Sequence, residues 1–445
     1  MDRRGVLSGL TAGALWLGLS PVAQAQTLAQ PKTQARGRIA ELAAKVQPKV
    51  IGWRRDIHEH PELGNRETRT AALVATELRR LGLEVREKVG LTGVVGVLKG
   101  AKPGPAVALR ADMDGLPVEE KTGLSFASKA KSTFEGNTVP VAHACGHDAH
   151  TAMLLGAAEV LSAMKADIAG SVVFIFQPAE EGPPPGEDGG AKLMIAEGAL
   201  DTPKVTSIFG LHVWPNTAGH ISYRAKGFMA AADFVEIRLK GRQTHGAQPW
   251  NGVDMTALAS DIVGSVNQIM ARQIDVTKEP AVLSITQMQG GVRFNIIPEE
   301  FRLVGTLRTF SEERRADIQA RVRRVVEALA DSYGAKAEVN FKLSAPLTYN
   351  DPALSAAITP AMIRAAGSSD RVDPAAQAVT GAEDFSEFQK KVPGVFAFLG
   401  VADPAKKPGE VAPNHSPYFD VYEPALEVGV RAHAEAALFL LSRKL

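Results

Sequence analysis

A chain of 445 residues, 45% hydrophobic and 22% charged, can bury a large core and is long enough for two or three domains. Fifty basic against forty-nine acidic side chains leave a formal charge of +1, which gives no electrostatic reason to expect a nucleic acid or an anionic membrane as a stable partner. Small neutral or mildly charged ligands are the default.

The N-terminus opens "MDRRGVLSGLTAGALWLGLSPVAQAQ": Arg3 and Arg4, an apolar run over 6–19, then Ala23-Gln24-Ala25 as a small-x-small cleavage site. Residues 1–26 are expected to be a twin-arginine-like export signal that takes the protein to the periplasm or out of the cell. The apolar run is short for a spanning helix, so an uncleaved membrane anchor is the weaker alternative.

Further along, "AVALRADMDGLP" is apolar over 106–109 and ends in Asp112 and Asp114. "HACGHDAHT" then brings the only cysteine, Cys145, among His143, His147 and His150. With one cysteine no intramolecular disulfide can form, so Cys145 is either an inert buried residue or a thiolate held by something else. Cys145 and His147, one residue apart, can point two donor atoms into one cavity. A zinc ribbon would need Cys-x-x-Cys pairs, so further ligands must come from distant segments. The helical pattern "TAMLLGAAEVLSAMK" leads to "SVVFIFQPAEEG", apolar over 172–176 and ending in Glu180 and Glu181. In "SIFGLHVWP", 208–211 is apolar and His212 follows. Three core strands thus end in acidic or imidazole side chains, and in open α/β sheets ligands bind at the carboxyl ends of strands, which suggests one shared site.

Near Arg224 the pattern changes. From "FMAAADFVEIRLKG" to "AEVNFKL", alternating strands and two amphipathic helices, around 254–271 and 312–333, form a βαββαβ-like unit. Residues 225–341 are expected to be an inserted domain that divides a catalytic α/β domain into 27–224 and 342–445.

The motifs "RRDIHEHPELG", "RADMDGLP", "HACGHDAHT", "QPAEEG", "GLHVWP", "TGAEDFSEF" and "NHSPYFD" resemble, in that order, the M20 metallopeptidase family. They are most similar to its amidohydrolase subgroup, which includes bacterial aminoacylases, hippurate hydrolases, carboxypeptidases and plant auxin-conjugate hydrolases. The resemblance covers nearly everything after the leader. It implies a two-domain α/β fold, with a catalytic domain whose central sheet is flanked by helices and a smaller inserted α+β domain serving as lid and dimer surface. It also implies two divalent metal ions per subunit held by Cys145, His147, Glu181, His212 and His415. Zinc or manganese suits that donor set best, with cobalt or nickel as further options. Glu180 takes the family's general-base position. Asp112 stands where many relatives carry a metal-binding histidine, so its role is open. Asp114 is expected to support the ligands and is counted with the catalytic residues. His150 is open between a supporting and a structural role, and His58, His60, His143, His220 and His433 are read as structural.

In the insert, "GRQTHGAQPW" matches a lid motif whose histidine, here His245, polarises the scissile carbonyl. Asn295 in "GGVRFNIIP" and Arg308 in "LVGTLRTF" are expected to bind the substrate's carboxylate or carbonyl. Trp250 and Gln243-Thr244 depart from the family pattern and leave fine substrate preference open. The implied function is metal-dependent hydrolysis of the amide bond of an N-acyl amino acid or related carboxylate-bearing amide. An M20-type carboxypeptidase or dipeptidase is the alternative within the class, and a non-catalytic metal- or ligand-binding exported protein the alternative outside it.

Overall fold

A computed structural model describes residues 30–443, so the export-signal reading of residues 1–26 lies outside the described residues. Helix α1 (Gln30–Glu59) buries Ile39, Ala43, Val46, Val50 and Ile57, a spacing that puts them on one apolar stripe. Next come α2 (Thr68–Arg80), β1 (Glu84–Glu87), β2 (Val94–Lys99), β3 (Lys102–Asp112) and a hairpin of β4 (Lys131–Phe134) and β5 (Asn137–Pro140). Helix α3 (His147–Ala163), β6 (Ala169–Gln177), α4 (Gly190–Ala196), β7 (Val205–Thr217), β8 (Ile221–Ser222) and β9 (Lys226–Met229) complete the first half.

The second half opens with β10 (Ala231–Lys240), β11 (Thr244–His245), α5 (Met255–Arg272), β12 (Ala281–Gly290), β13 (Ile296–Ile297), β14 (Glu300–Thr309), α6 (Glu312–Ser332) and β15 (Lys336–Ala345). It closes with β16 (Thr348–Asn350), α7 (Pro352–Ala366), β17 (Val372–Asp373), α8 (Phe385–Gln389), β18 (Gly394–Ala402) and α9 (Leu426–Leu441). From Ile39 onward the chain gathers into one compact unit.

Its main sheet runs β1-β2-β6-β3-β7-β18-β8-β17. Strand β3 lies parallel to both β6 and β7, and β18 is parallel to β7, so the carboxyl ends of these four strands face one edge. Asp112 is level with Gln177, which is why the carboxylates that follow each strand meet. Helix α3 is buried over almost its whole length against α9 and β3, consistent with an apolar surface all round. One expectation is corrected: His212 does not follow its strand but lies inside it. β18 continues to pair with β7 beyond that point, Phe398 opposite His212 and Gly400 opposite Trp214, and this extends the strand to Thr217.

The second sheet, β12-β14-β10-β15, is antiparallel throughout. On β10, Val235, Ile237 and Leu239 face a core shared with Leu258 and Ile262 of α5 and Ile318 and Val322 of α6, while Phe234 and Arg238 point to the uncovered face. The βαββαβ order is as read from the sequence. Strand β15 runs past residue 341 because pairing with β10 persists, through a bulge, to Ala345 opposite Ala232. A short β9–β16 ribbon holds the two crossings into this unit side by side.

Candidate metal and catalytic site

Cys145-Gly146-His147 forms the turn from an extended segment into α3. Gly146 has φ of 92°, and a Cβ there would stand 2.2 Å from Val213 Cγ2, so the turn requires glycine. It places Cys145 Sγ 3.4 Å from His212 Nε2. His212 Nδ1 donates to the Val213 carbonyl at 2.7 Å, which leaves the Nε2 lone pair facing the thiol. His147 Nδ1 donates to Asp114 Oδ1 at 3.2 Å. Its Nε2 is buried without a hydrogen-bond partner among the described residues, 3.9 Å from both Asp112 Oδ1 and Glu180 Oε2.

Asp114 does not reach into the open cavity. It is buried behind the ligand candidates, holding His147 and accepting the Glu181 backbone N–H at 3.0 Å. His150 sits deeper: Nδ1 donates to Asp112 Oδ1 at 2.5 Å and Nε2 accepts from the Val213 N–H at 2.7 Å, so both ring nitrogens are used within the fold. Asp112, whose role was open, bridges His150 and Arg110.

Beyond β6, Pro178 ends the strand and Ala179 takes a left-handed conformation, φ 50°. Its N–H is held by the buried Glu67 carboxylate at 2.8 Å. That kink separates the next two side chains. Glu180 Oε1 faces the Asp384 N–H at 3.4 Å, while Glu181 Oε1 is approached by His415 Nε2 at 2.9 Å. His415 reaches the site because its N–H donates to the Ala144 carbonyl at 2.7 Å, and the Asn414 side chain donates to the Cys145 carbonyl at 3.1 Å.

The charges are closely set. Burial, then Glu383, Glu181 and Asp384, push the Glu180 carboxyl well above the usual range. Burial opposes charge on His147, but Asp112 and Asp114 outweigh it and raise its pKa well above the ordinary value. Burial and the neighbouring His150 hold His212 neutral. Contacts with Cys145 and Glu181 raise His415 to about 10. Sequence reasoning assigned no role to Arg110, Glu383 or Asp384. The Arg110 guanidinium is fully buried and donates to Asp112 at 2.6 Å, Glu383 at 2.9 Å and Asp384 at 3.2 Å, with Nε on Gln177 at 2.8 Å. The available signals were an arginine inside an apolar strand and the paired acids of "TGAEDF".

Cys145, Glu180, Glu181, His212 and His415 line a cavity of about 590 Å³ together with Trp214, Met229 and Arg308 of the second sheet. Among the described residues Arg308 makes no ion pair; Asp233, the acid that attracts it, is held by Arg315 through two contacts of 2.7 Å. His245 and Asn295 do not line this cavity. His245 lies on the β11–β13 ribbon and Asn295 in the turn that leads into β13, with His245 exposed and its Nδ1 accepting the Ala247 N–H at 3.0 Å. Trp250 is 75% exposed and Phe294 96%.

The donor set fits divalent cations. Cys145, His147 and His212 bring ligand atoms within 4.8 Å of one another, as do Cys145, Glu181 and His415, and His147, Glu180 and Glu181. The bare His147 Nε2 among carboxylates is what a ligand nitrogen needs, and Asp114 behind it fixes the ring as carboxylates do behind metal-bound histidines.

Residues 108–438 match the profile described as Peptidase family M20/M25/M40. The chain is 42% identical to "Thermostable carboxypeptidase 1" of Saccharolobus solfataricus, over 88% of this chain and 96% of that protein. It is 36% identical to "N-acetylcysteine deacetylase" of Bacillus subtilis, over 88% and 97%. A Bacillus subtilis crystal structure described as a dinuclear metal binding peptidase from M20 family superimposes with a TM-score of 0.74 at 34% identity, covering 89% of this chain and 99% of the other.

Proposed function

The chain belongs to peptidase family M20/M25/M40 and is a metal-dependent hydrolase of C–N bonds, and from that premise we propose that it cleaves N-acyl amino acids, with Glu180 as general base. Cys145, His147, Glu181, His212 and His415 hold two metal ions, zinc or manganese by donor chemistry. When bound, these cations supply the positive charge that acidifies a water and polarises the scissile carbonyl.

Glu180 takes the proton of the attacking water and passes it to the departing nitrogen. Its carboxyl is buried beside three other carboxylates, which raises its affinity for that proton. Arg308 binds the substrate carboxylate. The observation that carries this reading is the placement of a guanidinium without an ion pair among the described residues in the same cavity as Glu180 and the ligand cluster. Asp114 orients His147 and Glu181.

His245 serves the site of a second copy. Support comes from its exposure, its absence from the cavity of its own chain, and its hydrogen bonding: Ala247 occupies Nδ1, so the proton rests on Nε2 as a donor for the developing oxyanion. Asn295, in the turn just before the paired strand, accompanies it. The four-stranded unit acts as lid and dimer surface, and residues 1–26 direct the enzyme out of the cytoplasm.

The carboxypeptidase alternative draws on the 42% identical relative and would use the same groups. Metal-reconstituted protein assayed against N-acetyl, N-benzoyl and N-indoleacetyl amino acids alongside dipeptides separates the two. Faster release from the acyl amino acids is expected; release from dipeptides alone would favour the peptidase, and release from none would favour a binding protein.

A further inference from the structure

We propose that a second cavity, of about 800 Å³ between the β4–β5 hairpin and the triproline run 183–185, receives the acyl group of the substrate and selects uncharged, apolar acyl groups. The proposal rests on the N-acyl amino acid reading given above.

The two cavities meet at Glu181 and Gly182, which line both, next to Glu180, which lines the first. A substrate whose amide lies at Glu180 and Glu181 therefore has two ways to extend. Its carboxylate is drawn to Arg308 in the first cavity. The second repels a carboxylate: Arg66, the only cation lining it among the described residues, is held by Glu187 at 2.6 and 3.1 Å, while Asp114, Glu135 and Glu181 contribute negative charge.

Apart from Thr133, the remaining wall is apolar, and it is fixed before any ligand arrives. Leu63 bridges to Gly115 and Leu116 to Ala142, which pins the floor to neighbouring backbone. The prolines have little conformational freedom to lose. Phe134 stands at the end of β4, placed there by a two-residue turn, Glu135-Gly136, whose φ values of 47° and 79° are both positive. A preformed apolar wall loses little entropy on binding, so affinity should follow buried acyl area.

The test uses the metal-reconstituted full chain and a series of N-acylglycines: acetyl, butanoyl, hexanoyl, benzoyl and succinyl. kcat/KM should rise about fourfold per methylene from acetyl to hexanoyl, the effect of burying one methylene. N-succinylglycine should fall below N-acetylglycine. Phe134→Ser should cut the hexanoyl and benzoyl values about tenfold and the acetyl value by much less. Leu116→Trp, which fills the cavity, should penalise the series more steeply as the acyl chain lengthens. Calorimetry on Glu180→Gln protein should give the same order of affinities without turnover, and melting temperatures near wild type identify folded variants. If N-acetylglycine is cleaved but the series is flat and both variants change every member alike, this cavity is not the acyl site and the hydrolase reading stands. If no member is cleaved or bound, both readings fall together.

Discussion

Glu180 and Glu181 share a backbone segment and point apart because Ala179 turns the chain so that one carboxyl faces Asp384 and the other His415. The thiol of Cys145 faces a histidine whose remaining lone pair is fixed by its bond to Val213. On this arrangement Cys145→Ser and Glu181→Gln should both lower metal content, measured by inductively coupled plasma analysis of purified protein. Unchanged metal in either variant would remove that residue from the ligand set. Cys145 and the paired glutamates were legible in the sequence because they are chemically conspicuous at strand ends. Arg110 and Glu383 were not assigned, because a buried charge reads like a surface one until its partners, here more than 270 residues apart, are brought together.

At the scale of elements, periodicity located the two helices packed on the second sheet to within a residue, and the apolar runs located β3, β6 and β7. The extent of β7 was not legible, because it depends on pairing with β18, whose sequence lies nearly two hundred residues later. The entry to α3 offers a direct check. Gly146→Ala forces a methyl against Val213 and strains a left-handed residue between two ligand candidates, so metal affinity should fall together with thermal stability. A variant with normal metal affinity would show that the turn tolerates a side chain. Helix α9 offers a second. His433 is buried with neither ring nitrogen hydrogen-bonded among the described residues, and burial, then His150, lowers its pKa to about 3. Because the unfolded chain binds this proton more tightly, stability is complete above about pH 6.5 and is lost as pH falls toward the folded value. His433→Leu should therefore lose about 3 kcal/mol less than wild type between pH 7.5 and 4.5 in urea unfolding; equal losses would mean His433 is not the source of that acid sensitivity.

For the whole molecule, the geometry of a single chain leaves His245 outside the cavity that holds Glu180, and its proposed place is the site of a second copy. The sequence could place His245 in a lid motif but not say whose site it serves, since that depends on assembly. Mixing the separately inactive His245→Ala and Glu180→Gln proteins should restore about a quarter of wild-type activity, since random exchange makes about half the dimers mixed with one complete site each. No recovery despite exchange seen by mass spectrometry would place the histidine's action in its own chain or nowhere. The central claim is that metal binding and proton transfer are separate tasks of adjacent glutamates, and one sample can test it. Glu180→Gln protein is loaded with metal, its metal content counted, and kcat measured on N-acyl amino acids in the same preparation. Metal equal to wild type with kcat lower by roughly a hundredfold or more, the scale of general-base catalysis, is the predicted result; equal metal with near-normal turnover would contradict it.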